Sequence, residues 1–239
     1  FYHDRFGADI SPERIIVTPG ASGALMLALA VTTDPGDEWL LPDPGYPSNR
    51  HLVRSFEGVA RALPVDATTR FQPTPAHVAA AWTARTRGLM VASPANPTGT
   101  LLSQDEIVAL RDAVATRGGI LIVDEIYQGL NYGLEASTAL NRLDDVFVVN
   151  SFSKYFAMTG WRLGWLIHPP SFAPIIGRII EFNTSGAPPF IQHAARVALD
   201  DGEPFIKEFA AYCETGRQIV LQRLGGFPRV RLTPPEAGF

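Results

Sequence analysis

Val146-Phe147-Val148-Val149-Asn150-Ser151-Phe152-Ser153-Lys154-Tyr155-Phe156-Ala157-Met158-Thr159-Gly160-Trp161-Arg162 begins as an apolar run and ends as a polar turn. The four apolar residues read as a buried strand. Two serine hydroxyls, one amine and one guanidinium then follow in quick succession. The chain holds 20 lysines plus arginines, yet only Lys154 and Lys207 are lysines. Arginine stays charged and cannot act as a nucleophile, whereas a lysine can lose its proton when desolvated or set beside another cation. In a chain that otherwise uses arginine, Lys154 marks a place where an amine is wanted. The ordinary alternative, a solvated surface lysine, fits Lys154 in isolation better than in this company.

The composition, 46% hydrophobic and 18% charged over 239 residues, is that of a globular protein with a sizeable core. The net charge of −4 gives no basic footprint for nucleic acid. No apolar run reaches the ~18 residues of a membrane span, and Phe1-Tyr2-His3-Asp4-Arg5 does not form a signal peptide. The single cysteine, Cys213, has no intrachain partner, which suits the cytoplasm. The histidines show no metal-ligand spacing, and no metal is expected.

Strand patterns recur along the chain, and several end in a chemically distinct group. Ile15–Thr18 gives way through Pro19-Gly20-Ala21-Ser22-Gly23 to a helix, whose first N–H groups suit an anion. Glu38–Leu41 leaves through Pro42-Asp43-Pro44-Gly45-Tyr46-Pro47, a rigid exit that carries an aromatic ring. Gly58–Leu63 is a further strand, and Thr74–Ala84 carries a helical pattern. Gly88–Ala92 reads as a strand buried on both faces. It ends in Ser93-Pro94-Ala95-Asn96-Pro97-Thr98-Gly99, where X-Pro steps allow cis bonds. Ser103 and Glu106 form a capping box, and Gly118-Gly119 closes that helix. Ile120–Val123 runs into Asp124, a carboxylate that needs a positive partner if buried. A loop with one helical turn is expected over Gln128–Asp145. A strand is expected over Trp161–Ile167, and helices over Phe172–Phe182, Ile191–Leu199 and Phe205–Leu224. Val230–Leu232 is expected to begin a second sheet.

Strands alternating with helices predict an α/β fold with an open, mostly parallel sheet. Ligands of such sheets sit beyond the C-terminal strand ends. Taken singly, Ser22 reads as a cap, Tyr46 as core, Asn96 as an Asx turn and Asp124 as a cap. Their shared position after strands points to one ligand site instead.

Ser151-x-Ser153-Lys154 with Thr159-Gly160-Trp161-Arg162, together with Asn96-Pro97-Thr98-Gly99 and Asp124-x-x-Tyr127, resembles the class I and II pyridoxal-phosphate-dependent aminotransferases of fold type I. The resemblance implies pyridoxal 5′-phosphate as cofactor, joined to Lys154 as a Schiff base. It implies that Asp124 pairs with the ring nitrogen and that Tyr127 and Asn96 serve the ring oxygen. Tyr46 would stack on the ring, and Ala21, Ser22, Ser151, Ser153 and Arg162 would hold the phosphate. Catalysis would rest on Lys154, Asp124 and Tyr127, moving an amino group between an amino acid and a 2-oxo acid in a homodimer. Residues 1–183 would form the cofactor-binding large domain, and 184–239 connecting helices and the start of an incomplete small domain. An N-terminal arm and most of the small domain are expected to lie outside these residues, so that the chain alone would turn over weakly or not at all. The same site residues are compatible with a carbon–sulfur lyase, or with the cofactor-binding effector domain of a transcription regulator. Ser151-Phe152-Ser153-Lys154 also satisfies the S-x-x-K pattern of penicillin-recognising enzymes, whose S-D-N and K-T-G elements do not occur here.

Overall fold

The computed structural model describes every residue except Thr184 and Phe239. The apolar runs form seven strands: β1 (Ile15–Thr18), β2 (Glu38–Asp43), β3 (Val59–Pro64), β4 (Thr86–Ala92), β5 (Ile120–Asp124), β6 (Phe147–Ser151) and β7 (Gly164–Ile167). They make one sheet in the order β1-β7-β6-β5-β4-β2-β3. β3, β2, β4, β5 and β6 are parallel neighbours, and β7 lies antiparallel to both β6 and β1. The reversal follows from the connection. A parallel return needs a crossover, commonly a helix, and between β6 and β7 the chain has only the lysine turn.

Among the described residues, eight α-helices accompany the sheet: α1 (Tyr2–Phe6), α2 (Gly20–Ala30), α3 (Pro47–Ser55), α4 (Pro75–Ala81), α5 (Gln104–Ala115), α6 (Ala173–Asn183), α7 (Pro189–Asp201) and α8 (Glu203–Gly225). Successive strand residues point to opposite faces, and the core divides accordingly. Trp39, Leu41, Met90, Ile122 and Phe147 pack with Ala24 and Leu25 of α2 and Ile176 of α6. Leu40, Leu89, Val91, Leu121 and Val123 pack with Ile107 and Leu110 of α5, Ala195 of α7 and Ile206 of α8. With both faces covered, the strand ends are left as the open edge where polar groups gather.

Three expectations are corrected in detail. α4 stops at Ala81, because Trp82 turns extended and lays its ring where a Gly119 β-carbon would be, 2.3 Å away. β7 starts at Gly164 rather than Trp161: Thr159–Trp161 is a 3-10 turn and Arg162 adopts φ 51°. Among the described residues Val230–Leu232 forms no strand. The nearby pairing is a single antiparallel bridge between Asn131 and Ala237.

Candidate active site

β1, β2, β4, β5 and β6 all run toward the same edge, so the groups that follow them converge. Ala21, Ser22, Tyr46, Asn96, Asp124, Tyr127, Ser153, Lys154 and Arg162 line one cavity of about 220 Å³. Ser151 is the one sequence-predicted residue outside this lining. It is fully buried, with Oγ 2.9 Å from both Ser153 Oγ and the Leu163 carbonyl. Its oxygen also accepts the Ser153 N–H at 3.0 Å. Ser151 therefore shapes the turn that presents Ser153.

Asp124 ends β5 inside the cavity. One carboxylate oxygen accepts the Ile126 N–H at 3.0 Å. Burial pushes its pKa up to about 6, with the Ile126 N–H pulling the other way. Among the described residues Asp124 has no ion-pair partner. Tyr127 stands three residues on, in the turn that follows β5. Its hydroxyl lies 3.5 Å from Asn96 Nδ2, and burial followed by the Asp124 charge raises its pKa.

The opposite end of the cavity is built for an anion. α2 starts at Gly20 with no side chain capping its first N–H groups. The Arg162 guanidinium sits against them: a β-carbon on Gly20 would be 2.6 Å from Arg162 Nη2. Arg162 Nη1 donates to the Thr159 carbonyl at 2.8 Å, which fixes the side chain without neutralising it. Helix start and guanidinium together favour negative charge. Gly164 makes the approach of α2 to β7 possible, since a β-carbon there would lie 2.7 Å from Asn150 O and 2.9 Å from Ala21 N.

Lys154 belongs to the same lining. Its Nζ lies 5.7 Å from the centre of the Tyr127 ring and forms no ion pair among the described residues. Tyr46, 45% exposed, offers its ring on the outer side. Leu25, Ala92, Ile126 and Thr159 complete the lining. Nothing in the motif around Thr159 announces its role. Its hydroxyl donates to the Ser153 carbonyl at 2.6 Å, tying the lysine turn to the Arg162 turn. A larger hollow of about 350 Å³ shares Tyr127, Ser153, Lys154 and Thr159 with this cavity.

The donor set suits a ligand with a cationic N–H at one end, an anionic group at the other and a carbonyl within reach of an amine. A buried carboxyl with no protein cation, an uncapped helix start beside a guanidinium and an unpaired amine match those three features.

The profile of the aminotransferase class I and II family matches residues 1–239. The valine–pyruvate aminotransferase of Mycobacterium tuberculosis is 35% identical over 100% of this chain and 62% of its own length. The aspartate aminotransferase of Thermotoga maritima is 30% identical over 99% of this chain and 62% of its own. Among solved structures, an aminotransferase from Mycobacterium tuberculosis superposes with a TM-score of 0.94 at 34% identity, over 100% of this chain and 62% of that one. The aspartate aminotransferase of Rhizobium meliloti superposes with a TM-score of 0.93 at 30% identity, over 100% and 61%. The chain thus spans about three-fifths of the relatives it matches. On its profile, its relatives and its fold, the chain belongs to the class I and II aminotransferases.

Proposed function

We propose that the protein transfers an amino group between an α-amino acid and a 2-oxo acid, with pyridoxal 5′-phosphate held at Lys154. The observation that carries this reading is the placement of Lys154, Asp124 and Arg162 on the walls of one cavity. The names of the relatives, valine–pyruvate and aspartate aminotransferases, support the substrate class. When bound, the cofactor supplies an aldehyde that condenses with amines and a ring that accepts the electrons released at the substrate α-carbon.

Each side chain has a task in this scheme. Lys154 would hold the aldehyde and, as a free amine, would carry a proton between the substrate α-carbon and the adjoining carbon. Asp124 would keep a proton on the ring nitrogen. Asn96 and Tyr127 would serve the ring oxygen, and Tyr46 would pack against the ring. Arg162, Ser153 and the α2 N–H groups at Ala21 and Ser22 bind the phosphate by charge-assisted bonds. Ser151 supports Ser153 from behind.

The division into a cofactor-binding domain over 1–183 and connecting helices over 184–239 belongs to the same proposal, as do a homodimer and a cytoplasmic setting. Among the described residues no helix is long and apolar enough to cross a membrane, and Cys213 is a free thiol.

The two lysines make the test decisive. The protein is loaded with pyridoxal phosphate, reduced with borohydride and mapped by peptide mass spectrometry. The label is expected on Lys154; a label on Lys207, or none, overturns the reading. Release of 2-oxo acid equimolar with bound cofactor marks transamination, whereas ammonia with a thiol marks the lyase.

A further inference from the structure

Asn96 and Tyr127 stand on different loops, and a third segment far away in sequence is bonded to both. Glu236 N and Ala237 N both donate to the Gly99 carbonyl, at 2.8 and 2.9 Å. The Glu236 carboxylate accepts the Leu101 N–H at 2.6 Å. On its other side the segment takes the second loop: Tyr132 N donates to Glu236 O at 2.8 Å, and Gly238 N to Leu130 O at 3.0 Å. The two loops are also joined at their roots, where Ser93 N donates to Asp124 O at 3.0 Å. The contact is also steric. Gly99 has φ 66°, and a β-carbon on it would lie 2.6 Å from Pro235 Cβ. A β-carbon on Gly238 would lie 2.9 Å from the Tyr127 ring.

We propose that Pro235–Gly238 is a clasp that sets the distance between Asn96 and Tyr127, with Glu236 as its positioning residue. The proposal rests on the functional reading above, in which those two side chains donate to the ring oxygen. Glu236 is suited to the task because its main chain and its side chain hold different points of the 99–101 loop. Arg70 steadies the carboxylate from outside: its Nη1 lies 3.4 Å from Glu236 Oε1 and donates to the Leu101 carbonyl at 3.1 Å. Its Nη2 binds Glu106 at 2.7 Å, which ties the clasp to the start of α5. A charged acceptor on a backbone N–H is stronger than a neutral one, so loss of the carboxylate frees the 99–101 loop and lets Asn96 drift from Tyr127.

The test compares Glu236→Ala, Arg70→Ala and the unaltered protein, each titrated with pyridoxal phosphate. Two readouts are taken: cofactor affinity from fluorescence quenching, and the pH midpoint of the visible band of the bound cofactor. Donors to the ring oxygen govern that midpoint. Glu236→Ala is expected to raise it by about half a unit or more and to weaken cofactor binding about 5- to 10-fold. Arg70→Ala should move both in the same direction by less. An unchanged midpoint and affinity in Glu236→Ala, even with a lowered melting temperature, overturns the clasp and leaves Glu236 as a stabilising residue only. Should Glu236→Ala fail to fold, Arg70→Ala decides by the same criteria. If the unaltered protein takes no borohydride-fixed label at Lys154, the functional reading falls and the clasp with it. If it takes the label and the variants match it in both readouts, the clasp alone falls.

Discussion

Gly129 lies flat against Tyr155: a β-carbon on Gly129 would stand 2.4 Å from Tyr155 Cε2. Tyr155 is 2% exposed and follows Lys154 directly, while Gly129 is two residues past Tyr127. The Arg5 guanidinium covers the tyrosine ring at 4.6 Å. The contact therefore fixes the lysine turn against the loop that carries Tyr127. Gly129 also has φ 93°, which L side chains rarely adopt. Gly129→Ala is expected to cost about 2–4 kcal/mol, from backbone strain and overpacking together. Urea unfolding at neutral pH measures it, and a loss under about 0.5 kcal/mol would show that Tyr155 moves aside freely.

The Asp124 carboxyl makes the unloaded protein pH-sensitive in a direction that can be worked out. Its folded pKa of about 6 lies above its ordinary 3.8, so between those values the folded state holds a proton that the unfolded chain releases. Stability then falls as pH rises from about 4 through 6, and is level above. The difference between those two values corresponds to about 3 kcal/mol. Asp124→Asn keeps an acceptor for the Ile126 N–H and removes the buried charge. Without cofactor, the variant is expected to match the parent near pH 4 and to melt higher at pH 7. With cofactor the order reverses, because the ring nitrogen loses its counter-charge. A parent that outlasts the unloaded variant at pH 7 contradicts this.

Much of this arrangement was readable from the chain because it is local. The apolar run at Leu89–Val91 and the capping box at Ser103 and Glu106 each need only a few neighbouring residues to state their structure. So does the polar cluster after Val149. Non-local contacts are another matter. Nothing near Trp161 or Arg162 announces that φ 51° at Arg162 serves a guanidinium aimed at α2, over a hundred residues earlier. Ser151 and Ser153 look alike in the motif, yet the carbonyl of Leu163 draws one of them away from the cavity. The Glu236 to Leu101 bond is equally silent, since a short stretch rich in proline has no period to read.

Arg162 offers a separation of charge from chemistry. Its guanidinium lies beside the first N–H groups of α2, and its Nη1 is steadied by Thr159. Arg162→Gln is expected to weaken pyridoxal phosphate about 10- to 100-fold, the 1.5–3 kcal/mol of a charge-assisted contact. Pyridoxal, which lacks the phosphate, should lose little. Equilibrium dialysis with both ligands checks this, and equal losses for the two would place Arg162 elsewhere than on the phosphate.

Glu125 is a second buried carboxyl, and its partners predict how it responds to pH. Oε1 accepts the Ala139 N–H at 2.7 Å and Oε2 the Thr138 hydroxyl at 2.8 Å, which pins the 3-10 turn Ala139–Asn141 to the end of β5. Burial pushes its pKa up to about 8; the two donors oppose this, and the neighbouring Asp124 adds to it. Thr138→Val keeps the side-chain volume, removes one donor and removes the cap on Leu140 N. The cap alone is worth about 1 kcal/mol. The donor stabilises the ionised carboxylate more than the acid, so its removal raises the folded pKa while the unfolded value is unchanged. The added penalty is therefore small at pH 6, where Glu125 holds its proton in both proteins, and grows as pH rises through 8. Urea unfolding at pH 6 and pH 9 should show a loss of about 1 kcal/mol becoming about 2–3 kcal/mol. A penalty identical at the two values would mean that Glu125 is already ionised at pH 6, and that its two donors outweigh the cost of burying it.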